Sequence, residues 1–329
     1  MQVVITGGAG FIGSRLVHRW ISDYPEDQVT VFDALTYAGH RESLSDFAKN
    51  PNYNFVHADI CDPVAVAAAL RDSDLVIHLA AETHNDRAVA DPLPFVRTNV
   101  QGTATLLEAC RRLDVARFHH VSTDEVFGSL KLGGAEKFTE ETPYAPRGPY
   151  SASKAAADHL VRAWFETYRL PVSISNCSNN FGPYQHPEKL IPTAITRSLA
   201  GRRVPVYGDG LNVRDWIYVD DHCSALEIIT HRGKVGTTYL VSAGMELPNA
   251  EVVRRILAQF GRGEEGIEYV EDRPGHDRRY ALDATRLREE LGWAPTYDFD
   301  TALKVTIDWY RRNEGWWKPL LPESRPRNS

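Results

Sequence analysis

The chain has 329 residues, 43% of them hydrophobic and 25% charged, with a formal net charge of −7. This composition excludes a fibrous or disordered chain, and its acidic balance argues against nucleic acid or an anionic membrane as principal partner. The N-terminus, MQVVITGGAG, lacks the regions of a secretory signal, and no apolar run is long enough to span a bilayer, so a cytoplasmic location is expected. Residues 2–6 (QVVIT) predict a buried strand, followed by a Gly-rich turn and a helix from about Phe11. Further strands are expected at 29–33, 53–59, 74–80, 117–123 and 171–177, with helical patterns at 62–72, 91–113 and 150–168 between them. Such alternation implies right-handed βαβ units and an α/β fold, a doubly wound parallel sheet of Rossmann type with both faces covered. Residues 179–192 and 205–216 are rich in Gly, Pro and Asn and read as functional loops. A helix from near Asp220, a strand at 237–243 and helices at 249–261, 283–292 and 299–313 follow. Two lobes are expected: residues 1–175, rejoined by a segment near 208–235, and a smaller mixed α/β C-terminal substrate lobe within 176–329.

TGGAGFIG places Gly7, Gly8, Gly10 and Gly13 between the first strand and the first helix. Glycines there let the backbone approach a pyrophosphate, whose charge the helix N-terminus stabilises. Asp33 ends the second strand, placed to bond the ribose hydroxyls of a dinucleotide and to repel a 2′-phosphate, which favours NAD over NADP. Gly7, Gly10, Phe11, Ile12 and Gly13, then Asp33 with Ala34, Leu35 and Thr36, form the expected cofactor frame. Asp59 and Ile60 would flank the adenine, while Leu79, Ala80, Ala81 and Ser122 sit at later strand ends. Cys61, Cys110, Cys177 and Cys223 stand far apart without a C-x-x-C and read as reduced core thiols. Adjacent His119 and His120 should face opposite ways, and no histidine spacing suits a metal, so none is expected.

PYSASKAAADH puts Tyr150 and Lys154 on one face of a helix. A nearby ammonium and a positive nicotinamide both favour the phenolate, making such a Tyr a base for a substrate hydroxyl. In VSTDEVFGS, Asp124 and Glu125 follow Thr123 directly behind a strand. Adjacent acids repel each other, and on their own the two read as a polar strand end followed by a turn.

TGGAGFIG, Thr123 and the Tyr150/Lys154 pair resemble the extended short-chain dehydrogenases/reductases that act on nucleotide sugars. Within that group, TDEVFG, SNNFGPYQHPEKLIP, PVYGDGLNVRDWIYVDDH and EDRPGHDRRYALD resemble the dTDP-glucose 4,6-dehydratase family over nearly the whole chain. The resemblance implies NAD-dependent dehydration of dTDP-glucose to its 4-keto-6-deoxy product. Tyr150 would act as base at O4, Glu125 as base at C5 and Asp124 as acid to the C6 hydroxyl, with Thr123 bonding O4 and Lys154 the nicotinamide ribose. It also implies substrate contacts at Thr83, Thr123, Asn179, Lys189, Leu190, Pro205, Tyr207, Arg214, Asn249, Arg273 and His276, and cofactor contacts at Thr98 and Asn180. A homodimer built on the helices at 94–113 and 150–168 is implied as well. Two positions depart from the family pattern. Asn85 stands where a small apolar residue is usual, an amide that either bonds its loop backbone or alters which hexose fits. Phe181 replaces a common Tyr. The alternatives are a dehydratase, epimerase or decarboxylase acting on another nucleotide sugar such as a UDP-hexose, and a non-catalytic NAD-bound regulatory module.

Overall fold

In the computed structural model, which describes residues 1–272 and 275–321, the chain opens with β1 (Gln2–Thr6), α1 (Phe11–Asp23) and β2 (Gln28–Asp33). β3 (Tyr53–His57), α2 (Pro63–Ala69) and β4 (Leu75–His78) follow. α2 starts where it does because the Asp62 side chain accepts from the Val64 and Ala65 N–H groups and Pro63 takes the first helical position. Next come α3 (Asn85–Ala90), α4 (Leu93–Phe95), a π-helical stretch (Val96–Gly102) and α5 (Thr103–Arg112). The helix expected over 91–113 is therefore interrupted by a wider turn, a feature frequent at functional sites. β5 (Arg117–Thr123), α6 (Pro149–Tyr168) and β6 (Val172–Cys177) match the expected segments closely.

The chain continues through β7 (Asn179–Phe181), α7 (Leu190–Leu199), β8 (Val204–Tyr207), β9 (Val213–Tyr218), α8 (Val219–Arg232) and β10 (Thr238–Val241). β11 (Met245–Pro248), α9 (Asn249–Ala258) and β12 (Ile267–Val270) follow. Seven parallel strands pair in the order β3-β2-β1-β4-β5-β6-β10, and the strand order reverses between β1 and β4. Ligands of open α/β sheets bind beyond the strand ends at such a switch point. Both faces of the sheet are covered: Val3 and Ile5 of β1 pack with Leu16 and Trp20, while Val4 packs with Phe32, Val66 and Leu106 on the other side.

Residues 205–216, expected as a loop, belong largely to β8 and β9 and the turn between them. Gly208 and Gly210 take positive φ, +56° and +69°, in that turn. The turn residues dominate the local composition, and strands this short carry too little alternation to stand out. β9 pairs with β7 and β11, and β8 with β12, giving two small sheets beside the large one. Phe181 is fully buried against Trp216, Tyr218 and Phe299, so the departure from Tyr places an apolar ring in an aromatic cluster. Among the described residues, no helix is long and apolar enough to cross a membrane.

Candidate active site

The carboxyl ends of the large sheet open into a cavity of about 820 Å³, whose lining runs from Gly7 to Lys189. Its floor is the β1–α1 turn. Gly7 has φ +69°, and a Cβ there would fall 2.6 Å from the Ala80 nitrogen. A Cβ on Gly13 would fall 2.1 Å from the Gly7 carbonyl oxygen. Only glycine permits this approach of turn, helix and β4 end. Asp33 accepts hydrogen bonds from the Ala9 N–H (2.9 Å, Oδ2) and the Leu35 N–H (2.8 Å, Oδ1). Burial pushes its pKa up and those two donors pull against it. A carboxylate has about four lone-pair sites, so two remain for ribose hydroxyls, and the residues present fit a dinucleotide. Asp59 accepts from the Cys61 N–H and pairs with Arg97 at 2.7 Å, and together these outweigh burial and hold its pKa below the usual value. Ser178 Oγ and Asn179 Oδ1, buried on the lining, have no hydrogen-bond partner among the described residues and can serve a bound ligand.

The acid pair owes its shape to Thr123. β5 ends there, and the Thr123 hydroxyl accepts from the Glu125 N–H (3.2 Å), capping a single 3₁₀ turn over Asp124–Phe127. It also donates to Asp124 Oδ1 at 3.2 Å. Asp124 is only 1% exposed, and burial, then Glu125 and Asp215, push its pKa well above the usual carboxylate value. The shift favours its neutral, proton-bearing form. Glu125, half-buried beside it, accepts from the Asn85 side-chain amide at 3.2 Å. Asn85 thus turns to a carboxylate rather than to its loop backbone.

Tyr150 lies in the same wall, buried, with its pKa pushed well up by burial and by Glu125. The free protein therefore holds it as a phenol. Lys154 donates to the Val121 carbonyl (2.9 Å) and lies 3.4 Å from His120 Nε2. Behind it, Asp158 pairs with His120 (3.2 Å) and accepts from Tyr144 (2.8 Å) and Asn176 (3.1 Å). Burial and the Lys154 charge push His120 down to about 4, while Asp158 is held low by His120 against its burial. Asn176 also donates to the Thr123 carbonyl, so this network anchors the end of β5. Asp158→Ala is expected to cost about 3–5 kcal/mol, because it strands buried partners; urea unfolding of the full chain measures it.

The cavity collects every expected cofactor residue except Leu35, whose N–H serves Asp33, together with Thr83, Thr123, Asp124, Glu125, Asn179 and Lys189. Leu190, Pro205, Tyr207, Arg214, Asn249 and His276 do not line it. Leu190 starts α7, and Asn249 starts α9 with its N–H on the Asn212 carbonyl. Tyr207 and His276 form an edge-to-face ring pair at 6.4 Å. Arg214, buried on β9, donates to the Val213 and Asp277 carbonyls and lies over the Tyr280 ring, yet its charge still acts on Asp124. Arg273 lies outside the described residues. Sequence reasoning missed Asn99, which bonds both backbone groups of Glu82 and reaches Ser153 of α6 at 2.8 Å. It lies in the π-helical stretch and ties the segment after β4 to the helix that carries Tyr150. Cys61 is half-buried rather than a core thiol, and among the described residues no side-chain group suits a metal.

A family model described as GDP-mannose 4,6 dehydratase matches residues 4–306. The chain is 53% identical to the dTDP-glucose 4,6-dehydratase of Mycobacterium tuberculosis over 328 residues, covering 99% of this chain and 98% of the relative. It superimposes on the crystal structure of DesIV, a dTDP-glucose 4,6-dehydratase from Streptomyces venezuelae with NAD and TYD bound. The TM-score is 0.95 at 46% identity, covering 98% of this chain and all of that one. A UDP-glucose 4-epimerase of Thermus thermophilus in complex with NAD aligns at a TM-score of 0.86 and 30% identity, covering 95% of this chain and 100% of that one.

Proposed function

The chain belongs to the GDP-mannose 4,6-dehydratase family and, within it, to the dTDP-glucose 4,6-dehydratases, and we propose from this how its residues divide the work. It is an NAD-dependent hydro-lyase that converts dTDP-glucose to dTDP-4-keto-6-deoxyglucose. When bound, NAD would supply reversible hydride transfer and a positive charge that favours the phenolate. Tyr150 takes the proton from O4, which Thr123 orients by a hydrogen bond. The resulting ketone acidifies C5. Glu125 removes the C5 proton, Asp124 gives its own proton to the departing C6 hydroxyl, and a proton is delivered to C5 at the end. Lys154 holds the nicotinamide ribose and supports the phenolate. The observation that carries this reading is a buried Asp124, hydrogen-bonded to Thr123 and adjacent to Glu125, in one cavity with Tyr150.

Thr83, Asn179 and Lys189 would contact the sugar and diphosphate within the cavity. Leu190, Pro205, Tyr207, Arg214, Asn249, Arg273 and His276 would serve the nucleotide end of the substrate. Residues 1–175, with a returning segment near 208–235, form the NAD domain, and 176–329 form mainly the nucleotide-sugar domain. Support for the return comes from Arg15–Asp220 (2.9 Å) and Arg19–Glu227 (2.6 Å), which clamp α8 onto α1. The enzyme acts in the cytoplasm as a homodimer, and Val89, Leu93 and Val96, exposed at 60%, 73% and 51%, supply an apolar surface for the second copy.

Mass spectrometry of product formed from dTDP-glucose in heavy water, with UDP-glucose in parallel, tests the reaction. Loss of one water with one deuterium retained at C5 is expected, faster with the dTDP sugar. An unchanged mass for both sugars would refute the dehydratase reading, and a faster UDP reaction would move the preference to uracil.

A further inference from the structure

We infer that Asn85 is a positioning residue for the C5 base: its amide holds one oxygen of Glu125 and so presents the other to the sugar. The inference rests on the dehydratase reading above. Asn85 Nδ2 lies 3.2 Å from Glu125 Oε2, across forty residues of sequence. An ionised carboxylate has only lone pairs to offer, so the amide must turn its N–H toward it. The 3₁₀ turn fixes the backbone of Glu125 through Thr123, yet that bond leaves the side-chain torsions unset. A glutamate has three of them, and a base that must meet a carbon-bound proton needs them fixed.

The amide can do this because its own support is firm. Asn85 opens α3, where the His84 ring accepts from the Arg87 N–H at 3.3 Å. Ala88 of α3 is buried in one cluster with Phe95 and Tyr150, so α3 packs directly on the other catalytic base. His84 lies 3.4 Å from Glu188, the Arg87 guanidinium lies 3.6 Å over the Tyr37 ring, and Lys189 reaches the Thr83 carbonyl. The segment that carries Asn85 is thereby tied to the cavity wall on both sides. A neutral donor also suits the task. Lys or Arg at this point would form a charge-assisted pair and blunt the basicity of Glu125, whereas an amide orients the carboxylate without neutralising it.

The test compares the full-length, NAD-loaded parent with Asn85→Leu, Asn85→Asp and Asn85→Gln, using dTDP-glucose in heavy water. For Asn85→Leu the expected result is an unchanged KM and unchanged C4 oxidation, read from reduced-nicotinamide absorbance. Deuterium entry at C5 and loss of water should slow by about 10–100-fold. Asn85→Asp keeps the shape but removes the donor and adds a like charge, and should slow elimination at least as much. Asn85→Gln keeps a donor and should recover part of the rate. Elimination at the parent rate in both Asn85→Leu and Asn85→Asp would overturn the inference, as would an equal fall in oxidation and elimination, which marks a purely structural role. Should Asn85→Leu fail to fold, Asn85→Asp decides, since Asp suits the start of a helix. A parent that releases no water overturns the dehydratase reading itself, an outcome distinct from parent-like elimination in the variants.

Discussion

Asp124→Asn is expected to leave C4 oxidation running while slowing the loss of water by about 10³-fold, within the range for removing a general acid. The substitution isolates one proton. Burial and then Glu125 push the Asp124 pKa well up, toward the neutral form, so an amide of the same shape changes the local charge little. Thr123 Oγ1 can still donate to the remaining side-chain oxygen, as it does to Asp124 Oδ1. Folding and cofactor retention should therefore stay near those of the parent. What the amide lacks is a proton that the departing C6 hydroxyl can take. Reduced nicotinamide should build up in a single turnover while the sugar keeps its oxygen, observed by absorbance and mass spectrometry together. Dehydration at the parent rate would remove Asp124 from the leaving-group role.

Gly13→Ala is the second large effect, and it falls on a different function. The added Cβ would sit 2.1 Å from the Gly7 oxygen and 2.8 Å from Gly8 Cα, both backbone atoms of the turn itself. Overpacking costs about 1–3 kcal/mol even where side chains can give way, and here none can. The turn must open, and the N-terminus of α1 moves off the line of the pyrophosphate. NAD affinity should fall by at least about 100-fold, measured by fluorescence titration of protein stripped of nucleotide. Parent-like affinity would mean that the turn does not cradle the cofactor.

Much of this architecture is legible in the sequence because it is written locally. The glycine turn, Asp33 and the strand 117–123 each lie within one short pattern, and β5 occupies the expected residues. The acid pair is visible as adjacent residues behind a strand, whereas the capping of its turn by Thr123 emerges only in the structure. What cannot be read is contact between distant segments. Asn85 meets Glu125, Asn99 meets Glu82 and Ser153, and Asp158 meets His120 only after the sheet has assembled. Asn99 and Asp158 read on their own as ordinary polar residues of a helix, and Asn85 shows only as a departure from the family pattern. β8 and β9 were hidden for a different reason, since the glycines between them signal a turn more strongly than four to six residues signal a strand.

The parallel order of the large sheet also sets when this enzyme can become one. β6 gains its outer neighbour only when β10 has been made, on the far side of α8. A nascent chain ending near Tyr168 already contains the glycine turn, the acid pair and Tyr150. It lacks β6, so β5 presents an unpaired edge, and it lacks Asn179, Asn180 and Lys189 of the cavity wall. Non-local parallel pairing is slow, and such edges favour aggregation during synthesis. Stabilisation by nucleotide reaches only chains that have completed this wall. Slower translation or lower temperature during production should therefore raise the yield of folded enzyme more than added NAD does.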